Sequence, residues 1–186
     1  MKHQAGWLKE TAHASVSQHY AIDCLLPRKG AEKGGELHKV TIRGEYFGHR
    51  TMPSLNDWLK AYGRSPVIGG RFKADYTKPI IGAIRSCLRG WRVTNPPVIL
   101  HYKFYERNKG IRRDIGNIMF CFAKFFEDAL QHCGTIQNDN PEWIIGYETE
   151  FHWIDGEPYI EVLIEERGKE NEKEPDRNDI EVHADT

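Results

Sequence analysis

Arg112-Arg113-Asp114-Ile115-Gly116-Asn117 opens a long amphipathic run that ends at Gln131, and Gly134-Thr135-Ile136-Gln137-Asn138-Asp139-Asn140 follows it. Within the run Ile115, Ile118, Met119, Phe122, Phe126, Ala129 and Leu130 recur at three-four spacing, which predicts a helix with one buried face. Asp114 stands at the N-cap, where a carboxylate accepts hydrogen bonds from the free N–H groups of the first turn. Gly134 lies just past the far end, where a chain leaving a helix favours glycine. At about 100° per residue, Asp114, Asn117, Lys124 and Asp128 fall within one quadrant. A polar strip therefore runs along the helix, with one carboxylate before it and another, Asp139, after it. Taken alone, this describes a capped core helix with one solvated face, because N-cap aspartates are common.

Upstream, Pro97 to Glu106 is rich in β-branched and aromatic residues and predicts a strand. Its end leads through Arg107-Asn108-Lys109-Gly110 to Asp114, so that carboxylate sits at a strand-to-helix junction held by two rigid elements. His101, inside the strand, is expected to be packed or hydrogen-bonded. Downstream, Trp143, Ile145, Tyr147, Thr149, Phe151 and Trp153 alternate along one side of a second strand, and Glu148 and Glu150 take the other. Asp155-Gly156 predicts a turn, with Tyr159 to Ile164 pairing back as a hairpin. Nearer the N-terminus, Lys39 to Tyr46 alternates as a half-buried strand, and Ser54 caps a short helix that begins Leu55-Asn56-Asp57. Asn56 fits a turn or capping role. Together these elements predict an α+β fold, a small mixed sheet with helices packed on it, over residues 38–166.

Residues 1–37 read as an extension, weakly patterned, with a linker-like Lys29-Gly30-Ala31-Glu32-Lys33-Gly34-Gly35. His3, His13, His19 and His38 show no ligand spacing. Residues 167–186 form an acidic tail of low apolar content, expected to be disordered. The 186 residues are 39% hydrophobic and 28% charged, which suits one soluble domain with extensions. No apolar run approaches the ~20 residues that cross a bilayer, and the N-terminus lacks a secretory layout. Cys24, Cys87, Cys121 and Cys133 form no Cys-x-x-Cys pair, which suggests core thiols in a reducing cytoplasm. Charge is far from evenly spread. Residues 57–113 hold thirteen basic residues against three acidic ones, within a chain whose net charge is −1. Such a block attracts polyanions, and Lys73, Arg107, Lys109, Arg112 and Arg113 are the candidate contacts to DNA phosphates.

The pattern from Arg112 to Asn140 resembles the RusA-type Holliday junction resolvases, endonucleases that cut branched DNA. Those show a basic lead-in, Asp-x-Asp-Asn, a helix with a lysine ending near Asp-Ala-Leu, and then a loop with an acidic pair. Here Asp114 and Asn117 match the first Asp and the Asn. Lys124 and Asp128-Ala129-Leu130 match the helix residues, with one extra helical turn after Asn117. Asn138-Asp139 matches the acidic pair. Gly116 stands where the motif has its second Asp, and glycine supplies no ligand. The resemblance extends over 38–166 and is tightest over 97–166.

The resemblance implies a homodimer that resolves four-way junctions with Mg²⁺, or Mn²⁺, in the cytoplasm of a bacterial host, associated with the nucleoid, as in phages and prophages. By that resemblance Asp114 and Asp139 are the metal ligands, and Lys124 stabilises charge or orients water. Asn117 and Asp128 support them by hydrogen bonding. Mg²⁺ is typically held by one or two carboxylates, with waters and phosphate oxygens completing the shell. Gly116 points to weakened hydrolysis, and the alternative is a catalytically inactive protein that binds branched DNA.

Overall fold

A computed structural model describes residues 37–43, 51–108 and 113–168. Seven elements follow one another: β1 (Leu37–Arg43), α1 (Leu55–Arg64), α2 (Pro66–Leu88), β2 (Val98–Arg107), α3 (Ile115–His132), β3 (Ile144–Ile154) and β4 (Tyr159–Glu166). The fold is α+β, with a four-stranded mixed sheet in the order β1-β4-β2-β3. β2 and β3 run parallel, joined by the α3 crossover, while β4 is antiparallel to both β1 and β2. Val98, Leu100, Tyr102 and Phe104 alternate along β2 and are fully buried, which suits a central strand covered by helices on that face. The expected strand before Met52 ends, as described, at Arg43; Gly44 to Tyr46 lie outside the described residues.

The helices begin where local chemistry dictates. Ser54 caps α1 in a reciprocal capping box with Asp57, so two orphan N–H groups are satisfied. Ser65 closes α1 and caps α2 through Ile68 N–H, with Pro66 in the first turn, where its missing donor costs nothing. The corner is tight: a Cβ on Gly69 would lie 2.2 Å from Tyr62 Cδ2, so only glycine lets the helices meet. Trp58 Nε1 donates to the Gly69 carbonyl at 3.2 Å across the same junction.

Of the described elements, α3 supplies the largest share of the core. Ile118, Phe122, Phe126, Ala129 and Leu130 are buried as the spacing predicts, together with Cys121 and Phe125. Ile115, counted with that stripe, is instead 51% exposed. Phe122 packs edge-on to Tyr102 and Phe104 on β2.

The expected hairpin of β3 and β4 does not form. β2 lies between them, and β4 pairs with β2 on one side and β1 on the other. The predicted turn is a crossing over the end of β2: four residues, Asp155 to Pro158, span two strand spacings of about 4.8 Å each. Asn108 at the end of β2 holds it, donating its N–H to the Ile154 carbonyl at 2.7 Å, and Arg107 pairs with Glu157.

The opposite sheet face is polar and satisfies its own charges. Lys39 pairs with Glu161, and Lys103 with Glu150, each at 2.9 Å. His101 bridges Glu148 at 2.8 Å and Glu165 at 2.9 Å, the hydrogen-bonded histidine the strand pattern suggests. One row crosses all four strands, with the Arg43 guanidinium over Tyr159, Tyr159 on Tyr105 and Tyr105 on His152.

Candidate functional site

The two ends of α3 hold different chemistry. At its start Asp114 Oδ1 accepts from Gly116 N–H at 2.9 Å and Asn117 N–H at 3.4 Å, as expected of the N-cap. Its neighbour Arg113 turns inward, pairing with Glu106 at 2.6 Å and donating to the Met52 carbonyl. That arginine ties the end of β2 to the segment before α1. At Gly116 a Cβ would meet Asp114 Oδ1 at 3.5 Å and Phe120 at 4.0 Å, ordinary contacts, so the position has room for a side chain.

The second cluster sits in the C-terminal half of α3. Lys124 Nζ bonds Asp139 and reaches Asp128 Oδ1 at 3.1 Å, one turn along. Asp128 takes Lys73 of α2 on its other oxygen. Gln131 Nε2 donates to Asp139 Oδ1 at 3.4 Å and Asn138 Oδ1 at 3.2 Å. The Asn138 oxygen also accepts the Asp139 N–H at 2.9 Å, fixing the loop. The hydrogen bond to Asp139 leads in raising the Lys124 pKa, so the ammonium stays charged near neutrality and is a poor base. The same bond holds the Asp139 carboxyl below its usual range.

Of the residues expected at a site, the structure brings together Lys124, Asp128, Asn138 and Asp139, joined by Lys73, which the sequence reading places among the DNA contacts. Asp114 and Asn117 stand apart from them. Helical rise puts residue 114 about 15 Å from residue 124 and about 21 Å from residue 128 along the axis. Asp139 is bonded to Lys124 in that far half, while Asp114 caps the near end. A Mg²⁺ at Asp139 would compete with the Lys124 ammonium for the same oxygens. Among the described residues, no three His, Cys, Asp or Glu side chains converge as a metal-binding group.

The candidate DNA contacts fare unevenly. Lys73, Arg107 and Arg113 each pair with a carboxylate, while Lys109 and Arg112 lie outside the described residues.

Two residues join the second cluster unannounced. Glu127 is 6% exposed, and burial pushes its carboxyl up against a hydrogen bond from Tyr147 that opposes the shift. Burial, with Glu127 next, pushes the Tyr147 hydroxyl up to about 12. Sequence gave no signal for this pair. Glu127 lies well round α3 from the apolar stripe, and only the return of β3 encloses it.

Glu127 and Asp139 pull pH stability in opposite directions. Asp139, with its folded pKa depressed, adds stability above its ordinary value of 3.8 that is lost as pH falls through the folded value. Glu127, raised from 4.5, gives stability that is full below that value and lost as pH rises through its folded one. Glu127→Gln keeps a partner for Tyr147 and removes the buried charge. Its melting temperature is expected to exceed the parent's at pH 7–8 and to match it near pH 4. Equal melting curves at both pH values would show that Glu127 titrates as it does in water.

No described helix is long and apolar enough to cross a membrane. No model of a known protein family matches the chain, and no curated protein is significantly similar to it.

Proposed function

We propose that this chain binds branched DNA, four-way junctions in particular, on a RusA-like endonuclease scaffold, and that a single copy hydrolyses it weakly or not at all. Uneven charge pairing carries the binding. Lys60, Arg64, Arg71, Arg85, Arg89 and Arg92 have no carboxylate partner among the described residues, and all stand on α1, α2 or the turn after them. A one-sided set of unpaired cations raises the local concentration of a polyanion and speeds its association. Three features argue against strong hydrolysis in one copy. Gly116 offers no ligand, Asp114 stands before α3 and Asp139 in the loop after it, and Lys124 already claims Asp139.

A second reading, the Mg²⁺- or Mn²⁺-dependent junction endonuclease acting as a homodimer, is favoured by one observation. Phe120 is 64% exposed near the Asp114 end of α3, an apolar ring a second copy would cover. Two antiparallel α3 helices related by a two-fold axis would bring the Asp114 end of one beside the Asp139 end of the other. A bacterial cytoplasm, with phage or prophage origin, belongs to either reading.

The test is titration of a labelled four-way junction and of linear duplex with the same arms, followed by incubation with Mg²⁺ or Mn²⁺. The expected result is at least tenfold preference for the junction, with little or no product. Preference for linear duplex, or no retention of either, overturns the proposal. Paired nicks across the junction by a protein that sediments as a dimer establish the second reading.

A further inference from the structure

We infer that the outer ridge of α2 is the surface on which this protein holds a nucleic-acid phosphate backbone. The inference rests on the DNA-binding reading above and assigns it a face. At about 100° per residue, Arg71, Asp75, Lys78, Gly82 and Arg85 lie within a narrow arc of α2, and Arg89, the left-handed C-cap, follows at its end. That arc is opposite the residues α2 buries: Tyr76, Ile80, Ala83, Ile84 and Leu88. Asp75, the acid on the ridge, is consumed by Lys78 at 3.0 Å. Arg71, Arg85 and Arg89 are exposed and pair with no carboxylate among the described residues. Arg85 has two neutral neighbours, His132 at 3.5 Å and the Cys133 thiol. From Arg71 to Arg89 the ridge is about 27 Å long. Lys60 and Arg64, one turn apart on α1, and Arg92 just past α2 add positive charge with no carboxylate partner among the described residues.

Charge complementarity chooses the occupant. The other described cations are engaged: Lys39, Lys73, Lys103, Arg107, Arg113, Lys124 and Arg167 pair with carboxylates. Arg43 lies over the Tyr159 ring. The polar sheet face and the Lys124 cluster are therefore neutralised from within, and uncompensated charge gathers on the helical layer. Duplex DNA carries one negative charge per ~1.7 Å of axis, so a rigid 27 Å row meets a matching row of phosphates. Arginines on such a row position a backbone without reading bases, which suits recognition by DNA shape.

The experiment uses the full chain carrying Arg71→Gln, Arg85→Gln and Arg89→Gln together. Binding of the four-way junction and of linear duplex is followed by fluorescence anisotropy between 50 and 200 mM salt. Each phosphate contact contributes ~0.9 to the slope of log affinity on log salt. The slope is expected to fall by about 3 on both DNAs, with affinity at low salt at least tenfold weaker and the circular dichroism spectrum unchanged. Lys103→Gln, which removes a cation already paired with Glu150, is expected to leave the slope as it was. If the parent binds the junction and the triple variant keeps its slope, the inference fails and the DNA-binding reading survives. If the parent binds no DNA, both fail. An unchanged slope with a lowered melting temperature would assign the ridge to a contact within the chain, such as the acidic residues 169–186, and would also overturn it.

Discussion

Gly116→Asp is expected to raise junction cleavage in Mg²⁺ or Mn²⁺ by at least about 10–100-fold, the scale on which loss of even a supporting partner weakens metal sites. The argument starts from α3. Asp114 is exposed at its first turn, and residue 116 stands two positions on, among N–H groups that favour negative charge. An aspartate there puts a second carboxylate beside the first, the one or two acids with which Mg²⁺ is commonly held. Sterics do not oppose it, since the nearest heavy atoms to a new Cβ are 3.5 and 4.0 Å away. Helix propensity changes little, since aspartate ranks only slightly above glycine in a helix. Mn²⁺ titration by calorimetry, read beside the cleavage rate, separates binding from chemistry. If the variant takes up no more Mn²⁺ than the parent and cuts no faster, Gly116 is not what limits the site.

How far the sequence disclosed this site depends on where each interaction is made. Asp114 as N-cap and Gly134, at φ +69° just past α3, follow from local rules, and the structure has both. The Ser54 cap is equally local, and its capping box with Asp57 completes it. Lys124 to Asp128 is one helical turn and so readable from spacing. The bond from Lys124 to Asp139 is not: it needs the loop after α3 to fold back, which no periodicity encodes. Nor does spacing reveal that Arg107 and Arg113 find Glu157 and Glu106. An excess of basic residues states that charge exists; only the fold decides which cations are left over.

The fold itself was legible in its pieces and misread in one connection. Each expected strand is present, the first as far as Arg43, where the described residues end, but Asp155-Gly156 suggests a hairpin where the chain steps over β2. Local turn chemistry cannot distinguish a return to the neighbouring strand from a return one strand further on. The long helix α2 is hidden for a different reason. Pro66, Gly69, Gly70 and Pro79 fall inside its 23 residues, and each weakens a helical pattern. Pro66 occupies the first turn, where proline is harmless, and Gly69 is needed for the approach of Tyr62. What reads as interruption in sequence is, at these two positions, the packing of α2 on α1.

Phe122→Ala is expected to destabilise the protein by about 3–5 kcal/mol, the usual cost of emptying a buried aromatic site. Phe122 has no exposed surface. Its ring meets Tyr102 at 5.7 Å and Phe104 at 5.5 Å, both near perpendicular, and Phe126 at 5.6 Å. Truncation thus removes contacts from α3 and from the central strand together, leaving a void between elements that rigid neighbours cannot close. Against a total stability of about 5–15 kcal/mol, such a loss moves a urea midpoint far while the slope stays constant. Phe120→Ala, two residues earlier and 64% exposed, is the control. In a monomer it should shift stability by no more than about 0.5 kcal/mol. A Phe122→Ala shift as small as that of Phe120→Ala would mean that α3 does not sit on β2, and the separation of Asp114 from Asp139 would lose its frame. A Phe120→Ala shift that grows with protein concentration would instead place that ring between two copies.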